Sequence, residues 1–457
     1  VLAAPASADD PVAAESQRLS GALAQAVRSA GFDTLVDYND VVNGQAQPQQ
    51  HLPQVDVAVI ELDEQGDVVG AANVLYGRDQ ADGFVVPIDH DLAPQGVRFS
   101  EWDLTRFDDP AGEWAAGPAP EAVLSAPDGW TEDWLAPYPA SVLKLMVAYS
   151  VLRAVDDGVL RLDQKVAYQK VRGQGCGAAA SRPRGFTPKP KTQGSVSIRS
   201  WLDQMITVSD NFATCVLLQQ LFDRGRLAES NEHFADLGLA TLRMWPSSPE
   251  RGTGWLSGTM TMGALDTARL LLVVSGARGS ATGELWTAPD GTPVTADELS
   301  ASSRAVLLRL LGEQSFNEVL STVNLCGSPD SVPGIPSTVP LRWVDPATGQ
   351  VVTYDGSLVI DFGYDTFTCQ QNAEVEFAHK TGLISVSGAD AGIVRALPGQ
   401  DGRWYLVAVQ SSVGFRFGDA ANAASSPNAC EDAPFVCYPT PLARLGAAVD
   451  EAVAAAP

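Results

Sequence analysis

The sequence predicts a mixed fold, α/β in the broad α+β sense, with helices at both chain ends and strands standing just inside them. Residues 13–30 and 441–454 carry apolar side chains at helical spacing. Strand-like runs follow the first helix at 55–60 and from Val68, joined by the turn Glu64-Gln65-Gly66-Asp67. Three more precede the last helix, at 375–378, 391–397 and 404–411. The middle of the chain is helical instead: 138–149, 195–221 and 264–274 have long apolar runs without strand alternation.

Taken in order, the terminal residues come first. Ala6-Ser7-Ala8 fits a small-x-small cleavage site, so residues 1–12 read as a signal remnant or a disordered N-terminus. Between about 75 and 135 the pattern breaks into Asp, Pro, Gly and scattered Trp, which reads as an insertion or a wrapped surface segment. Its tryptophans (Trp102, Trp114, Trp130, Trp134) are expected to anchor loops to the body more than to line a groove. The 171–194 stretch is a Gly/Pro loop holding Arg172, Arg182, Arg184, Lys189 and Lys191, a local excess of positive charge. It is either a solvated loop or a rim that attracts anions. In 195–221, Ser209-Asp210-Asn211 interrupts two apolar runs and predicts a helix pair broken near Asp210, whose side chain suits an N-cap. A hairpin is expected around residues 345–349, within a further insertion at 327–372.

Composition narrows the function classes. With a formal charge of −25 and a pI near 4.4, the chain lacks the basic footprint of a nucleic-acid binder. Hydrophobic content of 45% leaves ample material for a core, yet no stretch of about 18 apolar residues suggests a membrane span. Six cysteines, an even number, suit an exported, disulfide-bonded protein. Sequence proximity favours Cys430–Cys437; Cys326 and Cys369 flank an insertion and are paired with each other, which leaves Cys176 with Cys215. No C-x-x-C or H-x-x-x-H spacing supports a metal, and no cofactor is expected. The partner is a small-molecule or peptide substrate.

The chemistry concentrates in the stretch 138–149. Ser141 and Lys144 are three apart, which on a helix places them on one face within hydrogen-bonding reach. A hydroxyl beside an amine that can take its proton is an activated nucleophile. Lys144 lies in an otherwise apolar run, where an unpaired ammonium is costly, so a partner is expected. Further on, Lys380-Thr381-Gly382 offers an ammonium, a hydroxyl and a close-approach glycine, a set suited to a carboxylate or acyl-peptide ligand. His379 reads as a strand-packing residue, with tuning of Lys380 as the alternative.

In chain order, S-x-x-K at 141–144, S-D-N at 209–211 and K-T-G at 380–382 form the signature set of class A β-lactamases and penicillin-binding proteins. The sequence resembles that superfamily of penicillin-recognising serine hydrolases over most of residues 13–454. The resemblance implies one catalytic domain of two lobes, an antiparallel sheet flanked by the terminal helices beside an all-helical lobe, with the site at the seam. It implies Ser141 as the acylated nucleophile, Lys144 as its proton acceptor and Ser209 as the relay to the leaving group. Asn211 would hold the substrate amide and Lys144. Lys380 and Thr381 would bind a substrate carboxylate beside Gly382, with the N–H groups of Ser141 and Leu383 as the oxyanion hole.

One departure matters. Class A β-lactamases carry Glu-x-x-Leu-Asn on a loop after S-D-N, and the corresponding stretch at 245–252 lacks it. Glu250 is the one carboxylate there and the candidate deacylation residue, with a solvated loop position as its alternative. The expectation is therefore an exported serine hydrolase acting through an acyl-enzyme on a carboxylate-bearing amide or ester, D,D-peptidase- or esterase-like. The alternatives are a true class A-type β-lactamase using Glu250 and a non-catalytic penicillin- or peptidoglycan-binding protein.

Overall fold

The computed structural model describes residues 11–101, 123–167, 176, 195–245, 254–255, 259–328, 331–355, 358–400, 402–420 and 440–455. Six strands form one antiparallel sheet. In chain order they are β1 (Val55–Leu62), β2 (Val68–Tyr76), β3 (Phe84–Val85), β4 (Val375–Ile384), β5 (Ser387–Ala396) and β6 (Trp404–Ser411). Across the sheet they run β4-β5-β6-β1-β2-β3, so the strands from the two ends of the chain join at the β6–β1 pair and β4 is an edge.

Alternation along the strands sorts residues to two cores. Val55, Val57, Val59, Phe377, Val407 and Val409 face a layer made by the terminal helices α1 (Pro11–Ser29) and, at the other end of the chain, Thr440–Ala454. Ala58, Ile60, Ala389, Ala391, Leu406 and Ala408 face the helical lobe. That lobe comprises α2 (Lys144–Asp156), α3 (Ile198–Thr207), α4 (Asn211–Phe222), α5 (Arg226–Asp236), α6 (Ala264–Ser275) and α7 (Ala301–Gly312). All residues of α6 are buried between sheet and lobe, its charged Asp266 and Arg269 bonded to each other.

The expected helices and strands are present, with the ends shifted by a few residues. The 75–135 region is more regular than its sequence suggests. Val97–Ser100 pairs with both Val123–Ser125 and Glu132–Leu135 in a small three-stranded sheet. There Trp134 is buried against Val97, Phe99 and Leu124, in keeping with an anchoring role. Trp130 is exposed beneath the Arg98 guanidinium. Residues 345–349 do turn the chain, closing an antiparallel bridge between Val344 and Val351, but the main hairpin ladder follows them, Gln350–Asp355 against Leu358–Asp365.

Cys176–Cys215 and Cys326–Cys369 are bonded, with Cα separations of 5.6 Å and 6.1 Å. Cys430 and Cys437 lie outside the described residues, as do the 1–8 stretch and, apart from Cys176, the basic 171–194 loop. The 327–372 insertion has a small core of its own: Val339, Trp343, Val351, Tyr354 and Phe362 pack with Phe316 and with Val208, directly before Ser209. No helix among the described residues is long and apolar enough to cross a membrane.

A buried carboxylate helps tie sheet to lobe. Asp56 on β1, fully buried, accepts hydrogen bonds from Asn73 Nδ2 at 2.7 Å and from the Ala264 amide at 2.9 Å. Burial raises its carboxyl from 3.8 to about 6 despite those two donors. A folded-state pKa above the unfolded value means that the stability contributed by the protonated form is complete below pH 3.8 and is lost as pH rises through about 6. Asp56→Asn should therefore gain on wild type between pH 4 and pH 7, by up to about 3 kcal/mol. Urea unfolding of both proteins across that range checks it; a difference that is flat, or that grows toward acid, contradicts the assignment.

Candidate active site

The turn that carries Ser141 is set by Pro139 and Ala140. Pro139 opens a 3₁₀ turn over Ala140–Leu143, with the Val142 amide donating to its carbonyl at 3.0 Å. Ala140 is held at φ +44°, a left-handed conformation that costs a residue with a Cβ roughly 1–3 kcal/mol. Ser141 thus sits half-exposed on the turn, and α2 begins at Lys144, whose side chain is fully buried.

The second wall is the break between α3 and α4. Asp210 caps α4 by accepting from the Ala213 amide at 2.7 Å, as its residue type predicts. Ser209 is turned out at φ +55°, and Asn211 follows it exposed on the first turn of α4. Four residues on, the Cys215–Cys176 disulfide fastens the same helix.

These walls converge on one amine. Lys144 Nζ lies 2.7 Å from Ser141 Oγ, 2.7 Å from the Ser209 carbonyl, 2.9 Å from Ser209 Oγ and 2.7 Å from Asn211 Oδ1. An ammonium has three protons to give to these four oxygens. A neutral amine gives two, which the carbonyl of Ser209 and the amide oxygen of Asn211 can take. Its lone pair then faces the serine hydroxyls, which can donate as well as accept. The arrangement can therefore receive a proton from Ser141 and pass one on through Ser209.

The third wall is β4. A Cβ on Gly382 would meet the Ser141 backbone nitrogen at 2.6 Å and the Pro139 carbonyl oxygen at 2.8 Å, so only glycine lets the strand pass this close to the Ser141 turn. Lys380, fully buried, donates from Nζ to the Thr381 carbonyl at 2.7 Å, and Thr381 is itself buried. Leu383 follows, half-buried, in register with Gly388. Ser141, Lys144, Ser209 and Asn211 are thus brought together, and the Lys380–Leu383 stretch is laid against Ser141. Glu250 lies outside the described residues.

Beneath the turn, Tyr138 accepts a hydrogen bond from Trp255 Nε1 at 2.8 Å, and burial pushes its phenol up from the ordinary range. Sequence reading missed this pair because the partners are 117 residues apart. It also missed Asp89, His90 and Asp91, whose ligand atoms lie within 4.8 Å of one another. Their carboxylates are already engaged by the amides of Asp91, Ala93 and Thr287 and by Gln95, and no metal is assigned to them.

The three motifs stand in the order found in the penicillin-recognising serine hydrolases that the sequence resembles. Residues 136–322, which contain Ser141, Lys144 and the 209–211 motif, match the model of the Beta-lactamase enzyme family. No curated protein matches the chain. Among solved structures, a point mutant of PBP-A in an acyl-enzyme complex with penicillin G aligns at 16% identity and a TM-score of 0.46, covering 95% of this chain and 96% of that one. A class A beta-lactamase from Bacteroides cellulosilyticus DSM 14838 aligns at 14% identity and a TM-score of 0.46, covering 97% and 99%.

Proposed function

We propose that the protein is an exported serine hydrolase that forms an acyl-enzyme on Ser141 from an amide or ester bearing a carboxylate. The observation that carries the reading is the 2.7 Å contact between Lys144 Nζ and Ser141 Oγ inside the shared shell of Ser209 and Asn211. As Ser141 Oγ attacks the acyl carbon, its proton passes to Lys144. The bond to the leaving group breaks, and that group takes a proton relayed through Ser209 Oγ. The N–H groups of Ser141 and Leu383 receive the oxyanion, Asn211 orients the acyl side, and Lys380 with Thr381 binds the carboxylate. Water then attacks the ester, with Lys144 as base in this step as well. A pure binding protein has no need of a buried amine shared by two hydroxyls, which favours turnover over binding alone. Two disulfides support export.

The substrate class has its own test. Lys380→Ala should lower kcat/KM for a carboxylate substrate by about ten- to a hundredfold and leave its methyl ester nearly unchanged, because a charge-assisted hydrogen bond contributes roughly 1.5–3 kcal/mol. Equal rates for acid and ester in wild type remove the carboxylate role from Lys380.

A further inference from the structure

We propose that His379 is a positioning residue, acting through a buried hydrogen-bonded strap that ties the Lys380 strand to the Ser209 break. The proposal rests on the acyl-transfer reading above and adds residues that none of the three motifs contains. His379 and Asp390 are both fully buried, on neighbouring strands β4 and β5. His379 Nδ1 lies 2.8 Å from Asp390 Oδ1, and its ring stacks on Phe377 at 4.0 Å between centroids. On the other side of the ring, Nε2 lies 2.9 Å from Asn317 Oδ1. Asn317 Nδ2 donates to the Gln314 carbonyl, which turns the amide oxygen toward the ring. The ring therefore turns Nε2 to the Asn317 amide oxygen and Nδ1 to the Asp390 carboxyl, so both ring nitrogens are bonded.

The stretch 314–320 has no helix or strand of its own, so side chains set its register. At one end the Leu320 amide donates to Asp390 Oδ2 at 3.2 Å. At the other, Gln314 Nε2 donates to the Ile206 carbonyl and the Ser315 amide to the Thr207 carbonyl, both at 2.9 Å. Ile206 and Thr207 end α3, two residues before Ser209. The strap thus spans from the residue next to Lys380 to the turn that presents Ser209 to Lys144. Packing on Phe377 alone would be served by an apolar side chain. A buried carboxylate and imidazole are costly unless each is bonded, and bonded they fix a single register. An error of about 1 Å in the gap between the two walls is enough to cost on the order of a hundredfold in rate.

The test cuts the strap from both ends, with Asn317→Ala and Gln314→Leu, and includes His379→Asn. Acylation constants are measured for a penicillin and its methyl ester, with the melting temperature of each variant. We expect the acid-to-ester ratio of acylation constants to fall about tenfold in Asn317→Ala and in Gln314→Leu, and to be partly kept in His379→Asn, which can still bond Asp390. A ratio that stays at the wild-type value in the variants that fold, whatever their melting temperature, reduces the strap to structure and overturns the proposal. Absence of any Ser141 adduct in wild type overturns the acyl-transfer reading itself and the proposal with it.

Discussion

Ser141→Ala is expected to lose covalent labelling by a fluorescent penicillin, with the second-order constant down by roughly 10⁴- to 10⁶-fold. The size follows from geometry. Ser141 Oγ is the hydroxyl that both touches Lys144 Nζ and stands on the turn against which β4 is laid. Ser209 Oγ also touches the amine, at 2.9 Å, but it stands on the α3–α4 break, and the proposed mechanism gives it the relay. Lys144→Ala should cost less, about 10²–10⁴, because the hydroxyl and the oxyanion donors remain while general-base assistance is gone. Labelling that survives Ser141→Ala, or that moves to Ser209, contradicts the assignment.

The acyl-enzyme formed from a β-lactam is expected to persist. The 245–252 stretch lacks the Glu-x-x-Leu-Asn that supplies the deacylating base in class A β-lactamases, so penicillin turnover should trail acylation by about 10²–10⁴-fold. In a peptide or ester substrate the leaving group departs and opens room for water, so Lys144 can act in both half-reactions. A penicilloyl group keeps its leaving nitrogen tethered and blocks that approach. Stopped-flow kinetics with a chromogenic cephalosporin should show a burst and a slow phase, little altered in Glu250→Gln. Fast burst-free hydrolysis that collapses in Glu250→Gln would establish a β-lactamase with Glu250 as its base.

What the sequence made legible is what local spacing encodes. Ser141 and Lys144 share a face by helical geometry, Lys144 needed a partner because its neighbours are apolar, and Asp210 signalled a helix start by residue type. The long helices other than α7, and the strands of the large sheet other than β3, were readable because each buries one face or both. The small sheet over 97–135 was not, since its strands of three or four residues are too short to show a period. Helix α5 was also missed: it buries only Leu227, Ser230 and Phe234, too thin a stripe to stand out. Longer-range facts leave no local trace. The left-handed Ser209, the Trp255–Tyr138 bond and the Asn317–His379–Asp390 chain exist only once distant segments meet. His379 shows the limit well, since sequence placed it correctly on a packed strand without revealing that both ring nitrogens are bonded.

The central claim, an acyl-enzyme on Ser141, is tested most directly by mixing the wild-type protein with benzylpenicillin and following intact mass over time. Proteolysis and tandem mass spectrometry then locate the adduct. The account predicts one added penicilloyl group per chain, on the peptide containing Ser141, that forms quickly and is lost slowly. An adduct on any other residue, or an unmodified chain at saturating penicillin, would contradict it.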